Sequence, residues 1–241
     1  MTGPPPSADR AGSTGSVGPG GLAGETWPQA AASRRLLLVP LGSTEQHGPH
    51  LPLGTDTVVA VALAERLAAA RPDAVVAPAL PYGSSGEHAG FAGTLSIGQQ
   101  ALEAVVVELV RSADDFAGVV LVSGHAGNAA PLRRAVATAQ AEGRRALAWL
   151  PTVPGGDAHA GRTETSLLLA LAPASVRLDE AEPGDTRPLA DVMPELRSGG
   201  VAAVSRNGVL GDPRGASAAE GERLLAALAD DLVRAVAAWA P

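Results

Sequence analysis

Cysteine is absent from this 241-residue chain, which removes disulfides, thiolate nucleophiles and thiolate-held zinc at a stroke. Any metal must therefore be held by His, Asp and Glu. Lysine is absent too, so all 18 basic residues are arginine, a pattern that follows the codon bias of a GC-rich genome. Aromatic residues make up only 2% of the chain against 46% apolar residues, so a large core has to be built from Ala, Val and Leu. No apolar run reaches the ~18 residues a membrane span requires. Nor does the N-terminus pair a basic segment with an apolar stretch, as a signal peptide does. Positive charge is also scarce: the net charge of −7 argues against nucleic acid, which demands clustered basic residues. The expectation is a cytoplasmic protein with neither a nucleic-acid nor a membrane partner.

Residues 1–20 consist mainly of Pro, Gly and Ser. Such a stretch buries too little surface to offset its ordering entropy and reads as a disordered tail. Residues 21–241 read as one domain. Strands are expected at Leu36–Leu41, Ala74–Leu80, Val119–Val122 and Ala146–Leu150. Helices are expected at Thr57–Ala70, Gln99–Ala113, Ala129–Glu142 and Ala216–Trp239, with another starting over Thr165–Leu171. Strands alternating with helices imply an α/β fold: a single three-layer domain with a largely parallel sheet covered by helices on both faces. In sheets of this kind ligands bind beyond the carboxyl ends of the strands.

The loops after those strands hold all five histidines. The first runs Gly42-Ser-Thr-Glu45-Gln-His47-Gly-Pro-His50 and on to Asp56. The second holds Gly-Glu87-His88, the third Gly-His125-Ala-Gly-Asn128, and the fourth Gly-Gly-Asp157-Ala-His159 with Glu164 beyond. Taken singly, each residue has an ordinary explanation. Asp56 could merely cap the helix that follows it, and Glu164 could complement a helix dipole. Asn128 could cap a helix or hydrogen-bond a ligand residue, and His50 reads as a loop-fixing residue. Jointly, Glu45, His47, Asp56, His125 and Glu164 match what a pair of divalent cations needs. Imidazole suits zinc and iron, while carboxylates also admit manganese or magnesium. Asp56, short and held at a helix start, is the best candidate to bridge two cations. No serine stands between the glycines of the His125 loop, so it is not a nucleophile elbow.

Glu45-x-His47-Gly-x-His-Leu-Pro-Leu-x-Thr-Asp56, Gly-His125-x-Gly-Asn128 and His159-Ala-Gly-x-x-Glu164-Thr-Ser resemble the creatininase (creatinine amidohydrolase) family. The likeness runs from about Leu36 to the final helix. Within that family, the Glu87-His88 loop, the Gly-Gly-Asp157 loop and the Gly199–Pro213 segment look like the subgroup that matures the mycofactocin precursor peptide. The resemblance implies a creatininase-like fold, a ring-like homo-oligomer and two divalent ions per chain, zinc with iron or manganese. It implies one ion on Glu45, Asp56 and His125, the other on His47, Asp56 and Glu164, and His159 as the acid/base residue. Glu87, His88 and Asn128 are the candidates for touching substrate. One position departs from creatininase proper, which has a ligand glutamate where this chain has Gly127; this argues against creatinine as the substrate.

Cations of this kind bring the pKa of bound water near neutrality and give a hydroxide that attacks an amide carbonyl. The expected activity is hydrolysis of the modified precursor peptide to release its C-terminal Val-Tyr-derived unit. Hydrolysis of a small creatinine- or formamide-type amide is the alternative within the enzyme class. A metal-stapled, non-catalytic peptide-binding partner is the alternative outside it.

Overall fold

Two unbroken apolar segments organise the molecule. In the computed structural model, which describes residues 21–239, Leu36–Leu41 (β1) and Gly118–Ser123 (β3) are buried along their whole length. They pair in parallel, and are flanked by Ala74–Val76 (β2) and Ala146–Trp149 (β4) in the order β2-β1-β3-β4. Burial on both faces is why these strands read as continuous rather than alternating apolar runs. The tail over 1–20 lies outside the described residues.

Alternate strand residues feed two cores. Leu36, Leu38, Val120 and Val122 face one side, where Thr55–Ala70 (α2), Arg162–Leu171 (α5) and Ala218–Trp239 (α7) pack. Leu37, Val39, Val119 and Leu121 face the other, covered by Gly98–Arg111 (α3) and Ala129–Ala141 (α4). The result is the expected three-layer α/β domain. The first short helix, Trp27–Ala30 (α1), precedes β1. Leu189–Val204 (α6) lies beside the Gly86–His88 turn. The apolar spacing of Leu225, Leu228, Leu232 and Val236 buries one stripe of α7. Leu232 has no exposed surface, so Leu232→Ala is expected to cost about 2–5 kcal/mol of stability. Urea titration checks this, and a midpoint unchanged from wild type would remove α7 from the core.

Two expectations need correction. The strand predicted over Ala74–Leu80 stops at Val76, and Leu80 returns only as an isolated bridge to Leu41. Proline explains the break. Ala77 N still donates to Leu38 O, but Pro40 on β1 lacks the N–H that would return the next rung, and its carbonyl is met one residue late, by Leu80 N at 2.9 Å. The second correction is α6, which periodicity did not reveal. Pro194 lies inside it, and it breaks at Gly200 (φ 69°), both unfavourable in a helix interior. Among the described residues no helix is long and apolar enough to cross a membrane.

Candidate metal centre

The functional side chains all come from the carboxyl ends of the strands. Glu45 and His47 follow β1, His125 follows β3, and His159 follows β4. Asp56 lies in the first turn of α2 and Glu164 in that of α5. Gly54 occupies the cap position before α2, so Asp56 is not spent on capping. A Cβ added at Gly124 would meet the Asp56 carbonyl at 2.2 Å; glycine there lets the end of β3 close onto the turn that carries Asp56.

Three histidines share one hydrogen-bonding plan. A backbone carbonyl can only accept, so the ring nitrogen facing it must carry the proton. His47 Nδ1 donates to Glu45 O at 3.1 Å, His125 Nε2 to Ser84 O at 3.1 Å, and His159 Nε2 to Gln46 O at 2.8 Å. The other nitrogen of each ring faces the carboxylates, and once it gives up its proton it turns a lone pair to the same place. His47 Nε2 lies 3.1 Å from Asp56 Oδ1, and His125 Nδ1 lies 3.4 Å from Asp56 Oδ2 and 3.2 Å from Glu45 Oε1. His159 Nδ1 stands back, 3.9 Å from both Glu45 Oε1 and Glu164 Oε2. A backbone carbonyl fixing the tautomer of an imidazole is the usual support behind a metal ligand.

His88 has the opposite plan. Gln46 Nε2 lies 2.9 Å from its Nδ1 and donates to it, so the proton sits on Nε2, which points at Glu45 Oε1 from 3.2 Å. His88 is thus an ion-pair neighbour of the Glu45 carboxylate without hydrogen-bonding it. Gln46, a residue the motif reading passed over, also donates to Gly208 O and accepts from Gly48 N. Asn128 neither caps the helix nor hydrogen-bonds a candidate ligand side chain. It makes no side-chain cap to α4, and it is fully buried. Its Oδ1 accepts from Ser84 N at 2.9 Å, and its Nδ2 donates to Gly42 O and Ser123 Oγ. Asn128 ties three post-strand loops together and does not face the cavity. His50 donates from Nε2 to Thr165 Oγ1, whose hydroxyl donates to Gly161 O, joining the first loop to α5.

The carboxylates test whether cations fit. Glu45 Oε1 and Oε2 and Asp56 Oδ2 are buried without a hydrogen-bond partner. Unpaired buried carboxylate oxygens are costly, and a coordinated divalent cation is what satisfies them. Ligand atoms of Glu45, Asp56 and His125 lie within 4.8 Å of one another, as do those of His47, Asp56 and Glu164 and those of Glu45, His47 and His159. Asp56 offers one oxygen to each of the first two groups. The residues present fit divalent cations.

The electrostatics agree. Burial works against a charge on His47, but Asp56 above all, with Glu164 and Glu45, lifts its pKa to about 9. Burial, with Asp56 and Glu45 nearby, raises Glu164 to about 7. Burial would raise Glu45, yet His125, His88 and His47 hold it well below the usual carboxylate range. His159 is driven well below the ordinary imidazole value by burial and by His47 and His88. In the metal-free protein the charged His47 pairing therefore stabilises fully below the unfolded value of ~6.5 and is lost as pH rises through about 9. A cation must displace that proton, so metal affinity is expected to rise from pH 6 to 8 with net proton release. Calorimetry in buffers of different ionisation enthalpy measures the protons released. A pH-independent affinity with none released would contradict the assignment of His47.

A cavity of about 700 Å³ opens on this cluster, lined at its polar end by Asp56, Glu87, His88, His125, His159 and Glu164. Gly127 borders it for a steric reason: an added Cβ would fall 2.3 Å from Glu87 Oε1, 2.3 Å from His125 Nε2 and 2.6 Å from Ser84 O. The carboxylate beside this glycine is that of Glu87, 3.3 Å from His125 Nε2.

Fold and cluster together define the class, a three-layer α/β domain with groups able to hold divalent metal at the carboxyl edge of its sheet. The chain belongs to the creatininase family, whose model, described as creatinine amidohydrolase, matches residues 23–236. It is 52% identical over 233 residues to a Mycobacterium tuberculosis protein named mycofactocin precursor peptide peptidase, covering 92% of each chain. It is 30% identical to creatinine amidohydrolase of Pseudomonas putida, covering 83% of this chain and 89% of that one. A crystal structure of creatininase superimposes with a TM-score of 0.77 at 27% identity, covering 91% of this chain and 98% of that one.

Proposed function

We propose that this protein is a metal-dependent peptidase that hydrolyses the modified mycofactocin precursor peptide and releases its C-terminal Val-Tyr-derived unit. The observation that carries the reading is the shared plan of His47, His125 and His159. Each ring is pinned by a backbone carbonyl and turns its free nitrogen to buried, unpaired carboxylates. The 52% identity to a peptidase so named supports the substrate, and the cavity is far larger than a small cyclic amide fills.

In this reading Glu45, Asp56 and His125 hold one divalent cation, and His47, Asp56 and Glu164 hold a second, zinc with iron or manganese. Bound cations polarise the scissile carbonyl and acidify water. His159 performs the proton transfer. Its Nε2–H is committed to the Gln46 carbonyl, so Nδ1 is the atom that takes a proton from the attacking water and passes it to the leaving amine. Gln46 holds His88 beside the Glu45 carboxylate, and His88 and Glu87, which both line the cavity, meet the substrate. The same reading assigns a cytoplasmic setting and a homo-oligomer.

Incubation of the modified peptide with metal-loaded protein, followed by mass spectrometry, tests this. The expected products are the shortened peptide and the C-terminal unit, with chelator abolishing cleavage, zinc or iron(II) restoring it, and creatinine scarcely touched. An intact peptide beside rapid creatinine or formamide hydrolysis would leave only a small-amide hydrolase. Metal binding and peptide binding without turnover of either would leave a non-catalytic partner.

A further inference from the structure

The cavity beside the metal centre has a second end that the chemistry does not use. One face of α6 forms it. Leu189, Met193, Leu196 and Arg197 line the cavity at the three- and four-residue spacing that places side chains on one side of a helix, and Gly200 and Val201 at the kink border it as well. This face does little for the core. Only Val192 and Val201 of α6 are buried, and Leu189 is 44% exposed. Leu150, Val153, Leu167 and Leu228 face it across the cavity. An apolar slot opening onto polar chemistry is how a site holds a bulky apolar ligand while reacting at one end of it.

Arg197 adds charge to this slot. Asp56, Glu87, Asp157 and Glu164 make the lining acidic, and Arg197 is its single permanent cation. It is exposed and, among the described residues, has no hydrogen bond or ion pair. Glu195, two residues before it in the chain, is engaged with Arg187 instead. A free guanidinium at the edge of an otherwise acidic cavity offers a planar fork suited to a carboxylate.

We propose that this face of α6 is the recognition wall of the site, holding apolar residues that flank the scissile bond on Leu189, Met193 and Leu196 and a carboxylate of the same peptide on Arg197. The proposal rests on the peptidase reading above and extends it to the residues that select the substrate. The carboxylate has two possible sources, an acidic side chain near the scissile bond or the peptide's C-terminus.

The test uses the metal-loaded full chain and three synthetic versions of the modified peptide: the parent, one with its acidic side chains converted to amides, and one with its C-terminus blocked. Binding is read by fluorescence anisotropy and cleavage by mass spectrometry. Arg197→Gln is expected to raise Kd and KM for the parent about 10–100-fold, with metal content as in wild type. Arg197→Lys recovers part of the loss, because it keeps the charge but not the fork. The peptide version on which wild type and Arg197→Gln become equal identifies the carboxylate. Met193→Ala is expected to weaken the parent about 3–10-fold and to leave a version with glycines flanking the scissile bond unaffected. Equal losses for Arg197→Gln on all three versions, or no loss on any, would overturn the proposal. Wild-type protein that binds the parent without cleaving it would overturn the peptidase reading and leave the wall standing. Cleavage of the parent with Arg197→Gln and Met193→Ala indistinguishable from wild type would do the reverse, and absence of both binding and cleavage would overturn both.

Discussion

Asp56→Ala protein is expected to come through purification folded but with both cation positions empty, and with turnover lowered by about 10⁶-fold or more, toward the uncatalysed rate. The size of this effect follows from geometry. Asp56 Oδ1 faces His47 Nε2 at 3.1 Å, while Oδ2 faces His125 Nδ1 at 3.4 Å, so one carboxylate serves both ligand groups. No other residue in the cluster divides its two oxygens in this way. Elemental analysis against protein concentration gives the ions per chain, and Asp56→Asn, nearly the same shape, separates loss of charge from loss of packing. Two ions retained in Asp56→Ala would show that each group closes without it, and the bridging assignment would have to be abandoned.

His159→Ala is expected to keep its metal and lose about 10²–10⁴-fold in rate, the usual contribution of a positioned proton-transfer group. The competing outcome is specific. His159 also forms a possible ligand group with Glu45 and His47, and its Nδ1 carries a lone pair directed at the cluster. Distance alone does not separate the two roles, because the assigned ligands His47 Nε2 and Glu164 Oε2 themselves lie 3.8 Å apart. His159 Nδ1 stays 3.9 Å from Glu45 Oε1 and Glu164 Oε2, whereas His125 Nδ1 comes within 3.2 Å of Glu45. Elemental analysis alongside single-turnover rates decides the matter: an ion lost together with the imidazole would move His159 among the ligands.

Much of this site is legible in the chain because its parts are local. Glu45, His47 and Asp56 fall within one loop and the helix turn after it, and the loops follow apolar runs whose strand character needs no tertiary information. The layered fold is legible for the same reason, since β1 and β3 are continuous apolar segments and α7 carries a clear stripe. The limits of β2 were set by something less local. Pro40 lies on β1, and only the pairing of β1 with β2 shows that its missing N–H ends the ladder just beyond Val76.

The sequence by itself determined the chemistry available: a cysteine-free set of imidazoles and carboxylates, delivered to one edge of a parallel sheet. Tertiary structure decided how each group is used. The proton position on His159 depends on Gln46 O, 113 residues away in the chain, and that on His125 depends on Ser84 O, 41 residues away. Asn128 could have capped a helix, but its amide instead joins Ser84 and Gly42. The apolar face of α6 gains its meaning only from the cavity it closes. Residue types and local periodicity are properties of neighbours along the chain; tautomers, loop ties and cavity walls depend on which distant backbone groups lie within hydrogen-bonding distance, and folding alone brings those together.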